Sequence, residues 1–133
     1  MEGINGIAWV FSIVLAVVFM VTGMNKAFRY EKSKEIFPWV EKTPRALVRF
    51  IAIAEILGAL GLILPVVGLI LPEAAGICAR LTLAAAIGLA ILMISAAQFH
   101  TMRHESTEAL TNVVLLLLLI VVAYGRWTSM PPL

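Results

Sequence analysis

The sequence predicts an all-α membrane protein that folds as a bundle of four transmembrane helices, and three observations support this prediction. Of the 133 residues, 62% are hydrophobic and only 14% are charged, whereas a soluble domain carries about 25% charged residues. The mean hydropathy is +1.01. The apolar residues are grouped in four blocks, and each block is long enough for a spanning helix of about 20 residues.

The four predicted spans use most of the chain, so residues 1–133 are expected to form a single transmembrane domain. The spans are about 4–24, 46–64, 75–97 and 109–124. A cleaved signal peptide is the alternative for the first block, but a signal has a shorter apolar region of about 7–15 residues and a basic start. Glu2 is the only charged residue before this block, and we therefore expect a helix that is not cleaved off.

Prolines divide the chain between the second and third spans. Pro44 is placed to open the second helix, and Pro65 is expected to end or kink it. Residues 65–73 are then expected to form a short apolar turn. The tail that contains Pro131 and Pro132 is expected to be disordered.

The first loop, residues 25–45, is predicted to be amphipathic and partly interfacial. Seven lysines and arginines lie between Asn25 and Arg49, and four aromatic residues are interleaved with them. The aromatic residues are Phe28, Tyr30, Phe37 and Trp39. Aromatic rings favour the headgroup level and basic groups reach lipid phosphates. Nucleic-acid binding is the alternative for a basic patch, but the flanking spans hold this one against the bilayer, so we expect lipid and no nucleic acid as its partner.

Glu55 is the only charged side chain between Phe50 and Leu71. A carboxylate at that depth is costly unless it pairs, protonates or faces a polar cavity. Ala52, Gly58 and Ala59 share its helix stripe, and small residues let membrane helices approach closely. We therefore expect Glu55 to point into the bundle, with Lys26 or Asn112 as its partner.

Polar residues on the other helices reach a similar or shallower depth on the side of the first loop. They are Thr22, Asn25, Lys26, Ser95, Gln98, His100, Thr111 and Asn112. From this set we predict a ligand-binding or proton site composed of Glu55, Lys26, His100 and Asn112. The alternative is a structural polar network that fixes helix register. The opposite half of the bundle is expected to contain almost no polar groups.

Several kinds of chemistry find little support in the sequence. The single cysteine, Cys78, cannot form an internal disulfide or a Cys-x-x-Cys redox pair. His100 and His104 are four residues apart, but two histidines without further ligands are a weak indication of metal, and we predict no metal site. The sequence contains no glycine-rich phosphate loop and no Ser/His/Asp set, so no catalytic residue is predicted and enzyme activity stays open.

Four stretches of the sequence resemble the DoxX-like membrane proteins. They are Thr22–Lys26, Ala46–Pro65, the Phe99-His100 pair after the third span, and Asn112 at the start of the last helix. The resemblance implies a small four-helix protein of the bacterial inner membrane, with Lys26, Glu55, His100 and Asn112 at the motif positions. Some relatives are linked to thiosulfate–quinone oxidoreductase or to redox-defence complexes, which makes a membrane redox enzyme subunit one alternative function.

The function predicted from the sequence is an accessory or ligand-binding membrane protein. A polar pocket around Glu55 would take a lipophilic small molecule such as a quinone, or a partner subunit, and the sequence itself requires no cofactor. A small proton-coupled transporter is the other alternative, although small multidrug-resistance transporters have their membrane glutamate in the first helix. Four short helices leave little interior for a pathway, so a homodimer is compatible with this architecture.

The distribution of lysine and arginine predicts the orientation in the membrane. Eight basic residues belong to the first and third loops, against Arg80 and Arg126 on the other side. Loops 25–45 and 98–108 are therefore predicted to be cytoplasmic and both termini to lie outside, in a multi-pass protein of the inner membrane.

The predicted orientation is tested with single cysteines introduced into a Cys78→Ala background. An impermeant maleimide is expected to label Lys34→Cys and Arg103→Cys only from the cytoplasmic side and Trp127→Cys only from the outer side. Labelling of positions 34 and 127 from the same side would contradict the four-span topology.

Overall fold

The computed structural model describes residues 2–131, in which the chain is almost entirely helical and forms no β-strand. The helices are α1 (Glu2–Phe28), α2 (Tyr30–Ile36), α3 (Arg45–Ile63), α4 (Pro65–Ile70), α5 (Ala75–Met102) and α6 (Ser106–Thr128). Pro132, in the tail expected to be disordered, lies outside the described residues. Four helical segments are long and apolar enough to cross a membrane: Gly3–Phe28, Arg45–Ile70, Pro72–Met102 and Ser106–Thr128. The predicted all-α bundle with four spans is confirmed.

The four long helices form a closed ring in which each packs on two neighbours. Helix α1 packs on α3 and α6, and α5 packs on the same two helices. Large apolar side chains fill the centre, among them Leu15, Phe19, Leu62, Leu89 and Leu119. The outward side chains are apolar as well, which is typical of a bundle that is surrounded by lipid.

The segment after Pro65 differs from the predicted turn, because the chain remains helical. Leu64 keeps helical dihedral angles, with φ −54° and ψ −31°, and Pro65 begins α4. Proline is tolerated at the first position of a helix, where its missing N–H would have had no intrahelical acceptor. The expectation of an apolar turn over residues 65–73 was therefore wrong for Pro65–Ile70, and the chain reverses only at Leu71 and the 3₁₀ turn Pro72–Ala74.

The first loop folds back over one end of the bundle. This end contains the last turn of α1, the first turn of α3 and the α5–α6 connection, and we call it the loop end; the opposite end is the terminal end. The loop contains α2 and a 3₁₀ turn, Pro38–Val40. Val40 and Ser33 are buried, whereas Lys32 and Glu35 are exposed and pair at 3.0 Å. The loop is thus amphipathic, as predicted.

Helices α1 and α3 approach each other closely at Gly23. A Cβ atom at this position would lie 2.9 Å from Cγ1 of Ile56, 3.0 Å from the backbone oxygen of Ala52 and 3.2 Å from Cβ of Glu55. Only glycine leaves room for this approach without a shift of one helix. Since Lys26 follows one turn later on α1, the approach also determines how near Lys26 lies to α3.

Gly23→Ala is therefore expected to destabilise the bundle by about 1–3 kcal/mol, because the extra methyl group overpacks the α1–α3 contact. Gly88→Ala is the matched control, since a Cβ at Gly88 would meet no atom within 4 Å. The measurement is the midpoint of unfolding in detergent. Equal midpoints for the two variants would show that α1 and α3 do not depend on Gly23.

Candidate functional site

Lys26 and Glu55 form a buried ion pair between α1 and α3. Nζ of Lys26 donates hydrogen bonds to both carboxylate oxygens of Glu55, at 2.9 Å to Oε1 and 2.7 Å to Oε2. Each residue is only 5% exposed. The prediction that Glu55 faces the interior with Lys26 or Asn112 as its partner is confirmed, and the partner is Lys26.

Two aromatic rings of the first loop cover the lysine side of this pair. Nζ of Lys26 lies 4.8 Å from the ring centroid of Phe37 and 5.6 Å from that of Trp39. A cation over an aromatic face is stabilised by about 2 kcal/mol when it is desolvated. The ammonium group is therefore held by a carboxylate from α3 and by aromatic rings from the loop.

A cavity of about 730 Å³ opens beside the ion pair, and Lys26 and Glu55 form part of its wall. This volume lies within the range of about 300–1,000 Å³ that is typical of small-molecule sites. The wall is mainly apolar and contains five aromatic rings, from Phe19, Phe37, Trp39, Phe50 and Phe99. The other polar side chains in the wall are Thr22, Thr43, Ser95, Thr107, Glu108, Thr111 and Asn112.

The four predicted site residues lie at the loop end, but they do not form one cluster. Asn112 lines the cavity with Lys26 and Glu55, while its Nδ2 donates to the backbone oxygen of Glu108 at 2.9 Å. His100 is buried behind the cavity wall, where its ring packs edge-on against Trp39, with centroids 5.7 Å apart. His100 thus reaches the cavity only through the aromatic rings in front of it.

Comparison with known protein families shows which family this chain belongs to. The sequence profile of the DoxX-like family matches residues 10–122, which include the ion pair, the loop and most of the cavity. This chain belongs to the DoxX-like family. No curated protein matches the sequence, and no solved structure matches it. Family membership and the four apolar helices together make this a small multi-pass integral membrane protein.

The position of His100 in this DoxX-like protein follows from the way α5 ends. The N–H of Glu105 donates to the oxygen of His100 at 2.9 Å, and the N–H of His104 donates to the oxygen of Thr101 at 3.1 Å. This is a Schellman motif with His104 in the left-handed conformation, at φ 58°. The turn brings Oε2 of Glu105 to 2.6 Å from Nδ1 of His100. His104 lies beyond the helix and is exposed, so the two histidines share no helix face.

Glu105 lies outside the spans and is the acceptor for two side chains. His100 contacts one of its oxygens, and Nε of Arg103 donates to the other at 3.2 Å. The hydrogen bond with His100, followed by that with Arg103, lowers the pKa of Glu105 below its ordinary value of 4.5. The contacts in the connection between α5 and α6 thus favour the ionised form of this carboxylate.

The structure also contains a polar cluster at the terminal end of this DoxX-like protein. Arg126 of α6 is only 6% exposed, and its guanidinium lies 4.5 Å from the ring centroid of Trp9. It donates to Oδ1 of Asn5 at 3.4 Å and to Oγ of Ser12 at 3.5 Å. The expectation that this half contains almost no polar groups was wrong. The spacing of Asn5, Trp9 and Ser12, at i, i+4 and i+7, places them on one helix face and could have indicated the cluster.

The lowered pKa of Glu105 predicts a pH dependence for the α5–α6 connection. A carboxyl group whose pKa is lower in the folded state contributes stability above its unfolded pKa, and this contribution is lost as the pH falls through the folded value. Wild type is therefore expected to unfold at a higher temperature than Glu105→Gln at about pH 7. The difference should shrink as the pH falls below 4.5.

The control for this measurement is Glu31→Gln. Glu31 pairs with Lys34 on the exposed face of α2, where an ion pair contributes little to stability. A pH-independent difference between wild type and Glu105→Gln would mean that the charge of Glu105 does not stabilise the turn.

Proposed function

We propose that this protein binds a lipophilic small molecule with a neutral, planar polar head, such as a quinone, in the cavity beside Lys26 and Glu55. The single observation that carries the proposal is the position of the ion pair, which forms part of a cavity wall. An ion pair that served only to fix helix register would need no space of about 730 Å³ next to it. Ionisable groups within membrane spans commonly mark ligand or ion sites.

The charges in the wall favour a neutral head over an anionic one. Of the charged residues that line the cavity, Lys26 is basic and Glu55 and Glu108 are acidic. The positive charge is already met by the carboxylate of Glu55. A carbonyl oxygen can still accept from the ammonium group, and a hydroxyl can donate to the carboxylate, without separating the pair.

The aromatic residues favour a planar head. Phe19 comes from α1, Phe37 and Trp39 from the loop, Phe50 from α3 and Phe99 from α5, so rings approach the cavity from four directions. Aromatic pairs prefer offset or edge-to-face geometry and contribute about 0.5–1.5 kcal/mol beyond the area they bury. A flat ring between these side chains gains more interaction free energy than a branched aliphatic group of the same size.

An accessory role fits this site better than proton-coupled transport. A carboxylate that carries protons must exchange them during each cycle, but both oxygens of Glu55 are held by the ammonium of Lys26. Release of that carboxylate would leave a buried cation without its partner, at a cost of several kcal/mol. We therefore propose an accessory protein of the inner membrane, with the cavity near the cytoplasmic surface.

The proposed site is tested by the fluorescence of Trp39. Trp9 and Trp127 are replaced by phenylalanine, so that Trp39 is the sole tryptophan, and a quinone with a short tail is titrated in detergent. Because quinones quench tryptophan at short range, we expect saturable quenching at one molecule per chain. Glu55→Gln should weaken binding by about tenfold or more, which corresponds to the loss of one hydrogen bond to a charged group.

The matched control is Glu41→Gln, since Glu41 is exposed and does not line the cavity. We expect Glu55→Gln to lower the unfolding midpoint less than Glu55→Ala does, because glutamine keeps the shape and one acceptor oxygen for Lys26 although the ammonium group loses its counter-charge. Quenching that only rises linearly with quinone would indicate partition into detergent and would reject the site. A collapse of Glu55→Gln in the absence of any saturable ligand would support the structural polar network instead.

A further inference from the structure

A second, smaller cavity adjoins the first between α3 and α5. Its volume is about 250 Å³, and we call it the side groove. Ala54, Gly88 and Leu92 line both cavities, so the two spaces lie side by side. Beyond these shared residues the side groove is bordered by Gly58 on α3 and Ala85 on α5. Gly58 lies four residues after Ala54, which places it about 6 Å further towards the terminal end.

The side groove is kept open by Gly88. Small residues usually let two membrane helices close on each other, and Gly58 does this, because a Cβ there would lie 2.5 Å from side-chain atoms of Leu89. A Cβ at Gly88 would meet no atom within 4 Å. The missing side chain of Gly88 therefore leaves empty space at the junction of the two cavities and is not used for a helix contact.

The junction faces the hydrocarbon core of the membrane. Side chains at the rim are strongly exposed, with Phe50 at 64%, Leu57 at 63% and Ile91 at 61%. All three lie within the spans Arg45–Ile70 and Pro72–Met102. Exposed apolar side chains at this depth contact acyl chains, so a molecule can pass between bilayer and cavity without crossing water.

We propose that the side groove is the tail subsite of the ligand, which enters sideways between α3 and α5. The polar head lies beside Lys26 and Glu55, and a hydrocarbon tail passes over Gly88 into the side groove. This assignment rests on the proposed function and narrows the class of ligand to a ring with a neutral polar head and an attached hydrocarbon chain. The tail leaves the acyl chains of the bilayer when it binds. The favourable binding free energy of the tail therefore comes from close packing and not from removal of apolar surface from water.

The tail subsite is tested with Gly88→Leu in the protein that has Trp39 as its sole tryptophan. A Cβ at this position would meet no atom within 4 Å, so the added leucine side chain is expected to enter the junction and obstruct the tail. We expect binding of a quinone with a two-isoprene tail to weaken by at least about fivefold, the lower limit for overpacking. Binding of the same head without a tail is expected to stay within about twofold, because the larger cavity remains.

Gly6→Leu is the matched control. Gly6 is also exposed, and a Cβ there would meet no atom within 4 Å, but it lies near the terminal end of α1, away from both cavities. Binding of both quinones to Gly6→Leu is expected to equal that of wild type. An equal loss of the tailed and the tail-free quinone in Gly88→Leu would overturn the tail subsite.

A second measurement uses the unmodified protein and does not depend on how a variant folds. A quinone with a diazirine at the tail is photolysed in detergent, and the labelled peptides are mapped by mass spectrometry. We expect labels on residues 54–58 and 85–92, and competition by the tailed quinone. Even labelling of all lipid-facing helices, or equal labelling of the side groove by a diazirine alkane without a head, would show that ordinary acyl chains fill it.

The two proposals fail in different ways. If the tail-free quinone saturates Trp39 quenching but the tail labels no preferred site, the tail subsite is wrong and the proposed head site stands. If neither quinone gives saturable quenching, both proposals are wrong.

Discussion

The ion pair between Lys26 and Glu55 is the interaction on which the rest of the loop end depends. Two charges inside a membrane protein are less costly when each neutralises the other at hydrogen-bond distance, and removal of one partner from a buried pair costs about 3–5 kcal/mol. Hydrogen bonds of 2.9 and 2.7 Å join α1 to α3 through these side chains, and the two helices are nearly in contact at Gly23. Gly23 permits that contact, and the aromatic residues of the first loop cover the remaining face of the ammonium group.

Both ends of the bundle contain buried charged side chains, and these are stabilised by different kinds of partner. At the terminal end, Arg126 connects α6 to α1 through neutral groups, the amide of Asn5, the hydroxyl of Ser12 and the ring of Trp9. At the loop end, a full ion pair lies beside open space. The terminal end is thus a packed contact between two helices, whereas the loop end combines charged groups, aromatic rings and a cavity. This difference is the reason for placing the ligand at the loop end.

The space at the loop end comes from α3 and α5. These helices contact each other in the half towards the terminal end, where Oγ1 of Thr82 donates to the backbone oxygen of Gly61 at 2.8 Å. Nearer the loop end, Gly88 and Ala54 leave a gap that continues into the larger cavity. The loop covers this cavity from the end of the bundle, while the gap between the helices faces lipid. In the proposed function, a lipophilic ligand reaches this site from the bilayer.

The sequence by itself determined the features that follow from hydropathy and helix periodicity. Apolar blocks of sufficient length predict four spans, and the stripe of Ala52, Glu55, Gly58 and Ala59 indicates that Glu55 points inward. These are local properties of one helix at a time. The interfacial pattern of the first loop belongs to the same class, because alternation of basic and aromatic residues is visible without knowledge of any other segment.

Only the tertiary structure decided which residues meet. The sequence could not choose between Lys26 and Asn112 as the partner of Glu55, because that choice depends on the α1–α3 distance permitted at Gly23. It could not show that the chain remains helical through Pro65, which is governed by the dihedral angles of Leu64. The polar cluster around Arg126 joins residues more than 110 positions apart. The cavity is a space between helices, and its shape depends on how the four long helices pack. No single stretch of sequence specifies that packing.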